Sequence, residues 1–331
     1  MSGCVREEAS LTAERPAESF TASPPAAQTL PSPTISATSS HTPVPTPLST
    51  QTSVPTLAPT SKPAVLIGAG DISYCGKDYL GDDQTALVLA RLLKESPEAQ
   101  IFTAGDNVQG DGFAWEFRDC FHPTWGQFKD RIHPVPGNHD YMTYAGAPYY
   151  AYFGAAAGKP GLGYISYDLG QWHIVGLNSN CNDIACGANS EQAGWFRAEL
   201  TKNAGRCTLV YWHHPRWSSG LAGGTTAVSA FWNIASEFGV EIVVSGDDHD
   251  YERFAPQDAA GQAAPDGIRE FVVGTGGAPP REWSVIKPNS EVRDHTTWGV
   301  IKFSLYPAHY EWEFVPVAGG TFHDSGSGQC H

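Results

Sequence analysis

The sequence predicts an α/β protein, and three observations carry that prediction. From residue 64 onward, strand-like apolar runs alternate with helical stretches of amphipathic spacing. Five of the runs stop abruptly at Asp, Asn or His. The 268 residues after position 63 hold nearly all the Trp, Tyr and Phe, ample for one large core.

The elements follow in order. A strand over 64–68 leads into Gly70-Asp71. Asp82 or Asp83 is positioned to cap a helix carrying Ala86, Leu87, Leu89, Ala90, Leu92 and Leu93 at helical spacing, and Pro97 ends it. Strands are expected at 100–104, 132–135, 163–168, 172–177, 207–212, 240–244 and 269–273. Helices are expected at 190–203 and 226–238. The runs 299–305 and 309–315 alternate like an antiparallel hairpin. No internal repeat is visible.

Residues 1–63 differ in kind. They hold eleven of the 25 prolines and a single aromatic, Phe20. Such a segment buries too little apolar surface to offset chain entropy, so a disordered, semi-stiff tether is expected over 1–63, with the folded domain over 64–331. Met1-Ser2-Gly3-Cys4 resembles the end of a bacterial lipoprotein signal, on which reading Cys4 would carry the lipid and tether the chain to a membrane. The other reading is a chance cysteine.

Net charge is −15, of which residues 1–63 supply −1. No basic patch marks a nucleic-acid polymer as partner. Six cysteines remain besides Cys4, with no Cys-x-x-Cys pair. An even set points to disulfides and an oxidising compartment. Cys181 with Cys186 closes a small loop. Cys207–Cys330 and Cys75–Cys120 are one of several ways to pair the rest. A secreted or surface-held monomer is the simplest reading.

The polar endings carry the chemistry. They are Gly70-Asp71, Gly105-Asp106-Asn107, Gly137-Asn138-His139-Asp140, His213-His214 and Gly246-Asp247-Asp248-His249. Open α/β sheets bind ligands beyond the carboxyl ends of strands, and glycine there permits sharp turns and close approach. Carboxylate, amide and imidazole converging from several strands suit divalent metal ions. Taken singly, Asp71 or Asp106 reads as a turn residue and His213 as a core histidine. Gly68-Ala69-Gly70 lacks the third glycine of a dinucleotide fingerprint. Gly274-Thr275-Gly276-Gly277 is an anion cradle or simply a turn.

Gly137-Asn138-His139-Asp140, with Gly105-Asp106-Asn107, His213-His214-Pro215 and Asp247-x-His249-Asp250-Tyr251-Glu252-Arg253-Phe254 in this order, resembles the calcineurin-like metallophosphoesterases, and among them the bacterial purple-acid-phosphatase-like branch. The resemblance implies a four-layer α/β/β/α sandwich with two metal ions, Fe, Mn or Zn, at the strand ends. It implies that Asp71 and His249 bind the first metal, Asp106 bridges, and Asn138 and His213 bind the second. Hydrolysis of a phosphate monoester or diester by a metal-bound hydroxide is the implied reaction, with a small phosphate ester or nucleotide as substrate. His139 is then placed to protonate the leaving oxygen, and His214 to contact phosphate or orient a ligand. Arg253 is either a phosphate contact or half of a structural ion pair.

Three positions depart from the family pattern. Asp247 stands where an imidazole is expected, which makes the second site more oxygen-rich and favours Mn, Mg or Ca over Zn. Gln109 stands where a tyrosine is common. Ser73 stands where many relatives carry histidine. A non-catalytic extracellular binding module with an impaired second site is the rival reading that these departures allow. Tyr141, Tyr144, Tyr149, Tyr150 and Tyr152 form an aromatic cluster suited either to stacking on a base or to packing.

Overall fold

A computed structural model describes residues 62–76 and 80–331. The expected tether, apart from Lys62 and Pro63, lies outside the described residues, as does Cys4.

Two sheets face each other. The first runs β13-β12-β11-β1-β2-β3 and the second β10-β8-β9-β7-β6-β5-β4. In the first, β1 (Ala64–Ala69), β2 (Gln100–Ala104) and β3 (Ile132–Val135) are parallel, and β11 (Gly299–Leu305) and β12 (His309–Pro316) extend it as an antiparallel hairpin. In the second, β5 (Trp172–Gly176), β6 (Thr208–Tyr211), β7 (Ile242–Ser245) and β9 (Arg269–Val273) are parallel, with β4 (Ile165–Leu169) antiparallel at one edge.

Strand alternation divides the apolar residues between two cores. Leu209, Tyr211, Ile242 and Val244 point between the sheets, where Phe102 meets Tyr211 at 5.3 Å and Phe271 meets Phe303 at 5.4 Å between ring centroids. Val210, Trp212 and Val243 point outward, against Phe196 and Leu200 of the helix Glu191–Lys202 and Phe231, Trp232 and Ile234 of the helix Ser229–Glu237. The helix Gly81–Glu95 packs on β11 and β12 of the other sheet. The result is the expected α/β/β/α sandwich.

Three strands were not legible. β8 (Tyr251–Phe254) is short and lies inside the Asp247–Phe254 motif. β10 (Ser290–Asp294) and β13 (Ser325–Gln329) are polar or Gly/Ser-rich edge strands. β13 owes its place to its antiparallel register on β12 and to the Cys207–Cys330 disulfide just beyond it. The first helix also starts differently from expectation. Leu80 is its N-cap and neither Asp82 nor Asp83 caps it. Asp82 turns inward instead, accepting from Ser73 Oγ at 2.8 Å and Thr124 Oγ1 at 3.1 Å.

The six cysteines form three disulfides, Cys181–Cys186 and, among the ways left open for the other four, Cys75–Cys120 and Cys207–Cys330. They fit an oxidising compartment. Their sequence separations are 45, 5 and 123. Loop-closure entropy makes the longest worth about 5 kcal/mol and the shortest about 2 kcal/mol. Replacing Cys207 and Cys330 by serine is therefore expected to lower denaturant stability by roughly twice as much as replacing Cys181 and Cys186. Equal losses would refute this ordering.

Candidate metal centre

The parallel strands of both sheets deliver their polar ends to one place. Asp71 follows β1, Asp106 follows β2, and Asn138 and His139 follow β3. His213 and His214 follow β6, and Asp247 and His249 follow β7. Every candidate ligand is thus brought together from five strand ends.

Special backbone geometry aims these side chains. Asp71, Asp106 and Asp247 have φ of 59°, 47° and 69°. A left-handed residue other than glycine costs roughly 1–2 kcal/mol, so three in one site mark a functional constraint. Close approach of the chain does the rest. A Cβ on Gly137 would fall 2.0 Å from Asp106 Oδ1, and one on Gly105 would fall 2.5 Å from His213 Nδ1.

The carboxylates of Asp71 and Asp106 are 0% and 2% exposed. Among the described residues, neither has a Lys or Arg partner in an ion pair. Their neighbours are imidazoles. His213 Nε2 lies 3.4 Å from Asp106 Oδ2, 3.6 Å from Asp247 Oδ1 and 3.0 Å from Asn138 Oδ1. His249 Nε2 lies 3.5 Å from Asp71 Oδ1. The far nitrogen of each ring bonds a backbone carbonyl: His213 Nδ1 to Ala104 O at 2.9 Å and His249 Nδ1 to Pro279 O at 2.8 Å. A carbonyl only accepts, so each Nδ1 carries hydrogen and the neutral ring offers an Nε2 lone pair to carboxylate oxygens. Lone pair against carboxylate is repulsive unless a cation or proton lies between. This is the arrangement of metal-ligating histidines held by an outer partner, and the donor set fits divalent ions.

Without metal, protons fill that role. Burial pushes Asp71 up, partly offset by His213, and holds its carboxyl well above the usual range. Burial would lower His213, but Asp106, Asp71 and Asp247 outweigh it and raise it well above the ordinary imidazole value. Asp106 is likewise raised by burial but pulled back by His213, to about 2. Burial, then Arg281, brings His249 to about 4. The shifts of Asp71 and His213 thus both favour the protonated form.

The surrounding residues build the turn that carries Asn138. Asp140 accepts from Gly137 N at 2.9 Å and Asn107 Nδ2 at 2.9 Å, and Asn107 Oδ1 accepts from Thr103 Oγ1 at 2.8 Å. Burial raises the Asp140 carboxyl to about 7. Asp140 stood in the Gly-Asn-His-Asp signature without an assigned role. Gln109 fills the space left by the missing tyrosine, donating Nε2–H to Asp71 Oδ1 at 3.2 Å and Asp106 Oδ2 at 3.4 Å. Ser73 bonds Asp82 rather than the site.

Other readings resolve simply. Arg253 is a structural ion-pair partner of Asp324, at 2.8 Å, and of Glu291. Gly274 and Gly276 donate to the Asp250 and Gly70 carbonyls, so this segment is a packed turn. Tyr141, Tyr149 and Tyr150 are buried packing residues, whereas Tyr144 is 83% exposed. The grouping of Cys207, Cys330 and Glu241 is no metal site, because its sulfurs are bonded to each other.

Residues 67–251 match the calcineurin-like phosphoesterase family, and the chain belongs to it. Among solved structures, the chain is similar to the purple acid phosphatase PPD1 from yellow lupin (Lupinus luteus) seeds, at 17% identity and a TM-score of 0.67. The match covers 81% of this chain and 54% of that one, so this chain spans about half the plant enzyme's length. It is similar also to GAP50, the anchor in the inner membrane complex of Plasmodium, at 14% identity and a TM-score of 0.59, covering 82% of this chain and 90% of that one. PhoD follows at 10% identity and 0.56, covering 82% and 70%. No curated protein matches the chain. At these identities the structural likenesses bear on the fold alone.

Metal binding competes with the protons favoured at Asp71 and His213, because the ligands must be deprotonated. Calorimetry of Mn²⁺ binding in buffers of different ionisation enthalpy is expected to show net proton release near pH 7, with affinity rising as pH rises. Binding without proton release would contradict the proton-filled arrangement.

Proposed function

We propose that this protein is a metal-dependent phosphoesterase that hydrolyses small phosphate monoesters or diesters, nucleotides among them, outside the reducing cytosol. The observation that carries the reading is the pair of buried carboxylates, Asp71 and Asp106, faced by imidazole Nε2 atoms in a phosphoesterase family. In this assignment Asp71 and His249 would hold the first ion, Asp106 would serve both, and Asn138, His213 and Asp247 would hold the second. A bound pair of ions, Fe, Mn or Zn with Mg or Ca acceptable beside Asp247, supplies Lewis acidity and lowers the pKa of water.

The chain's own residues do the rest. His139 is anchored twice, by Nδ1–H to Gly110 O at 2.6 Å and by its backbone N–H to Asp106 Oδ1 at 2.9 Å. That leaves Nε2 as its working atom, 3.9 Å from Asp106 Oδ2. As imidazolium it donates its Nε2 proton to the leaving oxygen. His214 sits beside His213 and Asp247 and contacts the phosphoryl group. The three disulfides suit a secreted or surface-held protein, and lipidation at Cys4 is the proposed tether. Net charge of −15 favours small substrates over nucleic-acid polymers.

Asp247 in an imidazole position favours one rival, a binding module with a weakened second site. GAP50, described as an anchor, shares the fold, so fold alone does not separate the two. With Mn²⁺, the wild type is expected to hydrolyse a chromogenic phosphate ester, and His139→Ala to lower kcat by about 10²–10⁴-fold. An inactive wild type that gains turnover on Asp247→His would favour the rival.

A further inference from the structure

Hydrogen bonding sorts the four imidazoles around the centre into two kinds. His139, His213 and His249 each bond a backbone carbonyl through Nδ1, at 2.6, 2.9 and 2.8 Å. Their Nδ1 atoms carry hydrogen, and in the neutral ring Nε2 is a lone pair. His214 differs. Its Nδ1 lies 2.9 Å from the hydroxyl oxygen of Ser179.

That oxygen is already in use. The backbone N–H groups of His213 and His214 both donate to it, at 3.2 and 2.9 Å. A serine hydroxyl has two lone pairs and one proton. With both lone pairs engaged, only the proton remains for His214 Nδ1. Nδ1 therefore accepts, and the neutral His214 ring carries its hydrogen on Nε2. Ser179 is buried, 3% exposed, just beyond β5, and the three hydrogen bonds of its hydroxyl all go to His213 and His214.

We infer that Ser179 is a positioning residue that fixes His214 in the Nε2–H tautomer, making His214 a hydrogen-bond donor to a phosphoryl oxygen and not a metal ligand. The inference rests on the phosphoesterase reading for its ligand, but not for its tautomer. A His214 ring nitrogen lies within 4.8 Å of ligand atoms of His213 and Asp247. By proximity alone, His214 would replace the imidazole missing at position 247. A metal ligand must present a lone pair, and Ser179 has claimed the one at Nδ1. An N–H held beside bound cations is suited to an anionic oxygen, which needs both kinds of partner. The same hydroxyl also accepts from the backbone N–H of His214 beneath the ring.

The test uses the full chain in three forms: wild type, Ser179→Ala and Ser179→Thr. Nitrogen-15 NMR of the histidine side chains reads the tautomer directly, with or without metal. His214 is expected as Nε2–H in the wild type and in Ser179→Thr, and as a mixture or Nδ1–H in Ser179→Ala. An Nδ1–H form in the wild type overturns the inference. Inorganic phosphate binding to the Mn²⁺-loaded protein should weaken about 10-fold or more in Ser179→Ala, recover in Ser179→Thr, and leave metal content unchanged. Unchanged phosphate affinity in Ser179→Ala overturns the donor role. Loss of one metal per chain in His214→Ala overturns it too, since it makes His214 a ligand. A wild type that binds neither metal nor phosphate, with the tautomer as expected, defeats the phosphoesterase reading and the phosphate role while leaving the Ser179 assignment standing.

Discussion

Two carboxylates buried side by side, with no lysine or arginine among the described residues to pair them, are the constraint on which this structure turns. Asp71 and Asp106 sit at the ends of adjacent parallel strands, within the sandwich. Burying one unpaired carboxylate already costs several kcal/mol, and the second repels the first. The fold meets this cost through its sheets. β1 and β2 bring the two acids, β3 brings Asn138 and His139, and β6 and β7 of the opposite sheet bring His213 and His249. Both sheets are required, because neither alone carries the two halves.

The same constraint explains local features that would otherwise be defects. Three aspartates accept left-handed backbone. Glycines at 105 and 137 give up side chains so that His213 and Asp106 can approach. Hydrogen bonds from Asp247 N to Asp71 and from His139 N to Asp106 tie the acids to neighbouring turns. Such strain persists at functional sites because packing elsewhere offsets it. Here two aromatic-rich cores and three disulfides stabilise the domain that carries the site.

Much of this was legible in the sequence, because a ligand site at strand ends leaves a one-dimensional trace. An apolar run ending at a polar residue recurs five times, four of them through a glycine, and all five endings meet in space. The parallel strands were legible for the same reason that they are buried, their continuous apolar character. The edge strands β10 and β13 were not, since their pairing is imposed by a neighbour rather than by their own residues. The inward turn of Asp82 was hidden because a cap and a buried acceptor look alike in sequence. Least legible were the roles that depend on lone pairs. Nothing near Ser179 in sequence marks it as the partner of His214, 35 positions away. Gln109 reads as a missing tyrosine, and only the fold shows its amide lying between both acids.

The central claim is that these residues exist to hold cations. Elemental analysis of protein purified without chelator tests it most directly. Two tightly held metal ions per chain are predicted, with Asp247 working as a ligand in place of imidazole. One ion would mean the second site is broken and would bring the binding-module reading forward. None would contradict the account, leaving the buried carboxylates to be explained by protons alone.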